Sequence, residues 1–113
     1  MTPDKRESIL DSLAAQVLRL GADELDIERK DGYEQVCLMK GPLGVGIARF
    51  DSSSPDGESL RHELYALKRK RRRLTVDRSE YEMQVRTYDS FGDVAFRVKL
   101  RPSELAAGSG RPK

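Results

Sequence analysis

ELDIERKDGYEQVCLMK, residues 24–40, is the stretch that decides the fold. In its first half Leu25 and Ile27 alternate with Asp26 and Glu28, the period of two that marks a half-buried strand. Asp31-Gly32 is a strong hairpin signal, because both central residues of the tight turn take positive φ. The return run, YEQVCLMK, is more apolar and is expected to be covered on both faces. An antiparallel hairpin therefore stands at the centre of the domain, and its neighbours must join it or cover it.

Upstream, the period lengthens. Ile9, Leu13, Val17 and Leu20 recur at helical spacing, with Leu10, Ala14 and Leu18 widening the stripe. Thr2 is a candidate cap, Pro3 suits the first helical position, and Asp4 and Glu7 suit the positive end of the dipole. Gly21 stops the helix. Downstream, a turn at Gly41-Pro42 leads to a third strand, VGIARFD, and DSSSPDG is a loop by composition. A second helix follows, with Ser54 or Asp56 as cap and Pro55 at its start. Leu60, Leu64 and Leu67 lie on one face, and Leu74 is a candidate continuation. LTV is then a brief strand, YEMQVRTYDS a long alternating one, and VAFRVKL a last one ended by Pro102. That last strand puts Val94, Phe96, Val98 and Leu100 on one face, with Arg97 and Lys99 on the other.

This order predicts an α+β two-layer sandwich. Two helices pack on a mainly antiparallel sheet of five or six strands, in the order α-β-β-(β)-α-β-β-β. Residues 1–101 form one domain, and 102–113 are expected to be a flexible tail.

The bulk composition fits. A chain of 113 residues can bury one modest core, and at 37% apolar and 35% charged residues it is polar but patterned. The net charge of +2 hides a segregation. Residues 1–60 carry 7 basic and 12 acidic side chains, whereas residues 61–73 carry 7 and 1. Cys37 is the only cysteine, which excludes an internal disulfide. No apolar run is long enough to cross a bilayer, and MTPDKRES lacks the apolar core of a signal peptide, so no membrane insertion and a cytoplasmic location are expected.

Local strings in this layout resemble the small domain that precedes the RecA-like motor of type II secretion and type IV pilus assembly ATPases. Those domains open with a helix ending in a Gly-Ala-Ser-Asp-Ile-His-Ile-Glu kind of string, where LGADELDIE stands at 20–28. Leu67-Lys68 matches a helical Leu-Lys pair, MQVRTYDS at 83–90 sits where the family has Asp-Leu-Arg-Val-Ser, and FGDVAFRVKLR closes the domain. The likeness covers residues 8–101. It departs from the family at VCLMKG, residues 36–41, which keeps a glycine and loses both arginines of Arg-x-Arg-x-Asp-Gly. Of the family's nucleotide-reaching arginines only Arg86 has a counterpart. With no motor present, the resemblance implies a stand-alone relative of an adaptor module rather than an ATPase.

The residues offer little bond chemistry. GPLGVG, residues 41–46, has three glycines but no following Lys-Ser or Lys-Thr, so it reads as a turn between strands. His62 is the only histidine and reads as a surface residue, leaving no His-based metal site or triad. Cys37 is expected to be a small buried core residue. Asp26 and Glu28 read as acidic alternation on a solvated face. No catalytic residue, metal or cofactor is expected, and the chain is read as a non-enzyme.

What remains is LKRKRRRL, residues 67–74, with six consecutive cations. In a helix of 3.6 residues per turn these wrap around the helix end. A helix terminus needs one or two cations to meet its dipole, so the excess argues for an acidic partner. The leading expectation is a binding or assembly module. Lys68, Arg69, Lys70, Arg71, Arg72 and Arg73 would dock an acidic protein surface or a second copy, and Arg86, Arg97 and Lys99 would extend the surface if the sheet's polar face is open. Nucleic acid is the alternative partner, disfavoured by the lack of interleaved aromatics. A small-ligand sensor with a pocket between helix and sheet near Cys37 and Phe50 is the third reading.

Overall fold

The computed structural model describes residues 8–68 and 70–103. Its elements are α1 (Ile9–Arg19), β1 (Glu24–Lys30), β2 (Tyr33–Lys40), β3 (Leu43–Asp51), α2 (Pro55–Leu67), β4 (Arg71–Val76), β5 (Ser79–Ser90) and β6 (Asp93–Pro102). The fold is α+β, with the strands in one antiparallel sheet ordered β3-β2-β1-β6-β5-β4. Each half of the chain is a helix followed by a meander, and the halves join where β1 pairs with β6.

The helices begin where side chains can satisfy free amides. Ser8 is extended and its hydroxyl accepts a hydrogen bond from the Asp11 amide, capping α1. Thr2, Pro3, Asp4 and Glu7 lie outside the described residues. Ser54 caps α2 in the same way through the Gly57 amide, with Pro55 at the first helical position. Leu10, Leu13, Ala14 and Val17 form the buried line of α1, whereas Leu20, expected on that line, is 54% exposed beyond the last turn.

Alternation does the rest. Leu25 and Ile27 of β1 lie opposite Leu38 and Val36 of β2 and opposite Val98 and Phe96 of β6. Val85 and Met83 of β5 face Val98 and Leu100. All of these, with Leu60, Leu64 and Leu67 of α2, belong to one buried cluster, so both helices cover the same face. Each fully buried Leu, Ile or Phe contributes about 1.5–3 kcal/mol relative to exposure. β2 is covered on that face alone: Val36 and Leu38 are buried, but Gln35, Cys37 and Met39 on the other face stay half-exposed. Cys37 is therefore not a core residue. An apolar run predicts double cover, but both helices join the one buried cluster, and none of the described elements covers the other face.

Three hairpin turns have positive φ at both central residues: Asp31-Gly32, Asp77-Arg78 and Phe91-Gly92. At the other end of the chain Pro102 is still paired, with Tyr81, and the Ser103 amide donates to Glu80 O. The ordered sheet thus reaches into the expected tail, whose residues 104–113 lie outside the described residues.

Glu34 is the exception on the covered face. Its side chain is 1% exposed, yet it lies opposite Phe50 and under α2. Arg29 Nε donates to it at 2.9 Å, Arg61 Nη1 at 3.1 Å and Ser52 Oγ at 2.6 Å. Burial pushes the carboxyl pKa up, but the Ser52 and Arg29 hydrogen bonds and the Arg61 and Arg29 charges outweigh it, and the net shift is downward.

Candidate functional site: the open face of the sheet

The basic run is not a helix end. α2 stops at Leu67, Lys68 is extended at ψ 125, and Arg71 opens β4. Helical spacing would have stacked like charges three and four apart, while a strand sends alternate residues to opposite faces. Pairing with Ser79–Gln84 also buries Val76 and half-buries Leu74, which rules out the helical continuation to Leu74.

That alternation splits the predicted site. Arg72 points toward the helices, where Nη2 donates to Asp11 Oδ1 at 2.7 Å and Ser8 Oγ at 3.1 Å. It ties β4 to the start of α1 and is not free for a partner. Arg71 and Arg73 point to the open face, and Lys70 is exposed just before them. Lys68 Nζ stands 5.6 Å from the Tyr65 ring centroid. Arg69 lies outside the described residues.

Arg71 and Arg73 meet the other half of the expected set. Register places Arg71, Gln84, Lys99 and Glu24 in one row across β4, β5, β6 and β1. Arg86, Arg97 and Asp26 form the next row, and Arg73, Glu82 and Arg101 another. Arg101 was not singled out from the sequence. It continues the Arg97, Lys99 alternation and could have been found by carrying that period to Pro102. A cleft of about 470 Å³ runs over this surface, lined by Gln84, Arg86, Arg97, Lys99 and Arg101 among others.

Some of these cations are already paired. Arg97 bridges Glu24 and Asp26, each at 3.4 Å, and Arg71 bridges Glu82 at 3.5 Å. Among the described residues no carboxylate comes within 4.0 Å of Arg73, Arg86, Lys99 or Arg101. Arg86 and Arg97 lie directly opposite each other on neighbouring strands, an arrangement that is destabilising for like charges.

The acidic side of the face is not simply solvated. Asp26 is 8% exposed, and Tyr88 Oη lies 2.7 Å from Asp26 Oδ1 and 2.8 Å from Glu28 Oε2. Burial, followed by these hydrogen bonds and charges, drives the Tyr88 pKa strongly upward, so the phenol stays protonated. For Arg97, burial acts to lower the pKa, but the Asp26 charge, the contact with Tyr88 and the Glu24 charge together outweigh it, and the net shift is upward. β1 therefore carries an acidic stripe held by Tyr88 and Arg97, and the cations without a close carboxylate gather on β4, β5 and β6, with Arg49 of β3 standing apart beyond the stripe.

Cys37 lies beyond that stripe, opposite Gly46. Burial, then the Asp26 and Glu28 charges, raise its pKa, so it is a poor thiolate. Phe50 lies opposite Glu34 and faces the helices, so Cys37 and Phe50 do not share the pocket expected between helix and sheet. His62 is exposed, and no cluster of three or more His, Cys, Asp or Glu side chains able to hold a metal occurs among the described residues. No helix among the described residues is long and apolar enough to cross a membrane. No protein-family model matches the chain, and no curated protein matches it.

Proposed function

We propose that the chain is a two-layer, non-catalytic, cytoplasmic binding module that docks an acidic protein partner on the β4–β6 half of its open sheet face. The observation that carries this reading is the crowding of Arg86 against Arg97, flanked by Lys99, Arg101 and Arg73, most of which have no carboxylate within 4.0 Å among the described residues. An anion resting between them relieves the repulsion that the fold otherwise bears. The docking element is thus the sheet face with its β4 edge, in place of a helix end.

An acidic protein is favoured over a nucleic acid because the surface lacks a stacking platform. Tyr88, the aromatic among the cations, has the Arg97 guanidinium 5.2 Å from its ring centroid and its hydroxyl held by carboxylates. The β1 acids further limit the length of any polyanion that can lie across the face. The likeness to the small domain of secretion and pilus motors enters as a proposal of context, an adaptor module. The αβββ-αβββ order is compatible with it.

The test uses poly-L-glutamate as a defined acidic polypeptide, with binding followed by calorimetry at low and moderate salt. Replacing Arg86, Lys99 and Arg101 together by Gln removes three contacts of up to about 1 kcal/mol each, so affinity drops on the order of 100-fold. Thermal stability stays within ~1 kcal/mol, since all three side chains are exposed. Undiminished binding by the triple variant refutes the site. A generic DNA duplex that binds more tightly than poly-L-glutamate at equal salt moves the assignment to nucleic acid.

A further inference from the structure

β4 and β5 differ in length, and the difference leaves a step in the edge of the sheet. β5 runs from Ser79 to Ser90, whereas β4 pairs with it only as far as Arg71↔Gln84. Lys68 touches Val85 through an isolated parallel bridge as the chain leaves α2. From Arg86 to Ser90, β5 is paired on one side alone, with Asp93–Arg97 of β6. Among the described residues no other backbone hydrogen bond reaches that stretch. Every second residue there directs its N–H and C=O into an open edge.

A cleft of about 480 Å³ lies beside this edge, lined by Lys68, Lys70, Arg71, Arg86 and Thr87 among others. Its rim is cationic on both sides, and Asp89 ends that charge toward the β5–β6 turn. Exposed edges are usually blunted by charge, brevity or a covering element. β4 blunts the first half of β5, while among the described residues no strand pairs with the outer edge of the second half, and Lys68, Lys70 and Arg71 gather beside its Arg86 end. Phe91 follows immediately, fully exposed at 102% and at φ 50, a conformation that a bulky residue seldom adopts. It offers a partner an aromatic anchor at the end of the step.

We infer that residues 86–90 of β5 form a strand-addition site for an extended acidic segment of the protein partner. The segment takes the place that β4 leaves empty, its backbone pairs with alternate residues of β5, and its carboxylates lie against Lys70, Arg71 and Arg86. This rests on the acidic-partner reading above and adds the main chain as the recognition element.

The probe is the acetylated peptide Glu-Thr-Glu-Thr-Glu-Thr-Glu amide, offered to the full chain, with two analogues N-methylated on either the Glu or the Thr amides. The parent peptide is expected to slow hydrogen exchange at amides within 86–90. The analogue methylated at the pairing amides should bind roughly tenfold more weakly, for the loss of about two backbone hydrogen bonds. Equal affinity of both analogues, or binding of poly-L-glutamate or the parent without protection at 86–90, overturns strand addition while leaving the cationic face as a docking surface. Failure of every acidic probe removes both readings. Slow exchange in the free full chain at the alternate amides of 86–90 that face away from β6 also overturns the inference, because the edge would then already be covered.

Discussion

Replacing Glu34 by Gln tests the packing of the whole first half of the domain. Glu34 ties β2 to β1 through Arg29, joins the hairpin to α2 through Arg61, and reaches the loop before α2 through Ser52. Removing one partner of a buried ion pair costs about 3–5 kcal/mol when the orphaned charge stays dry. Here Arg29 is 36% and Arg61 19% exposed, so water recovers part of that loss, and the Gln carbonyl keeps one acceptor. The expected destabilisation is about 2–3 kcal/mol, readable as a lower midpoint in urea at unchanged slope. The pH dependence gives a second signature. Because the folded-state pKa lies below the ordinary 4.5, the ionised carboxylate stabilises fully above that value. The contribution is lost as pH falls through the folded-state value, so the gap between wild type and Glu34→Gln closes under acid. A gap under ~1 kcal/mol at neutral pH, or one that persists unchanged at about pH 2, refutes the role assigned to the network.

Phe91→Asn should raise stability by about 1 kcal/mol in a thermal melt, since Asn tolerates the left-handed conformation and no packing is lost, while binding of an acidic partner weakens. Gly57→Ala should destabilise by about 1–3 kcal/mol in urea, because an added Cβ would collide with the Asp51 carbonyl oxygen at the start of α2. Arg72→Gln should cost about 1–2 kcal/mol by the same assay yet leave binding of poly-L-glutamate unchanged, as it serves the β4–α1 contact rather than the open face. Cys37 should react with iodoacetamide more slowly than free cysteine at pH 8, and faster in Glu28→Gln, since burial and neighbouring carboxylates hold its pKa up.

Much of the architecture was legible in the sequence because it depends on local periods. Two-residue alternation in ELDIERK and VAFRVKL, helical spacing from Ile9 to Val17, and Asp31-Gly32 each state a conformation within a few residues. Faces could also be assigned where one side of a strand is purely apolar, which is why Arg97 and Lys99 were correctly placed opposite Phe96 and Val98. What alternation cannot state is what lies across the sheet. Glu34 sits among apolar residues of β2 and looks like a solvated acid until Arg29, Ser52 and Arg61 converge on it from three different segments.

The basic run shows the division most clearly. Composition alone established that cations are concentrated after α2 and that the preceding body is acidic, because charge is counted without knowing the fold. Whether those cations share a face depends on secondary structure, and KRKRRR has no apolar period to announce it. Only pairing of β4 with β5 decided that Arg71 and Arg73 join Arg86, Lys99 and Arg101 while Arg72 turns inward to Asp11. The step along residues 86–90, unpaired on its outer side among the described residues, is likewise invisible in the chain, for it arises from the unequal lengths of two paired strands. Local sequence thus determines which conformations are affordable and where charge is stored. Long-range pairing determines which charges meet and which backbone is left open.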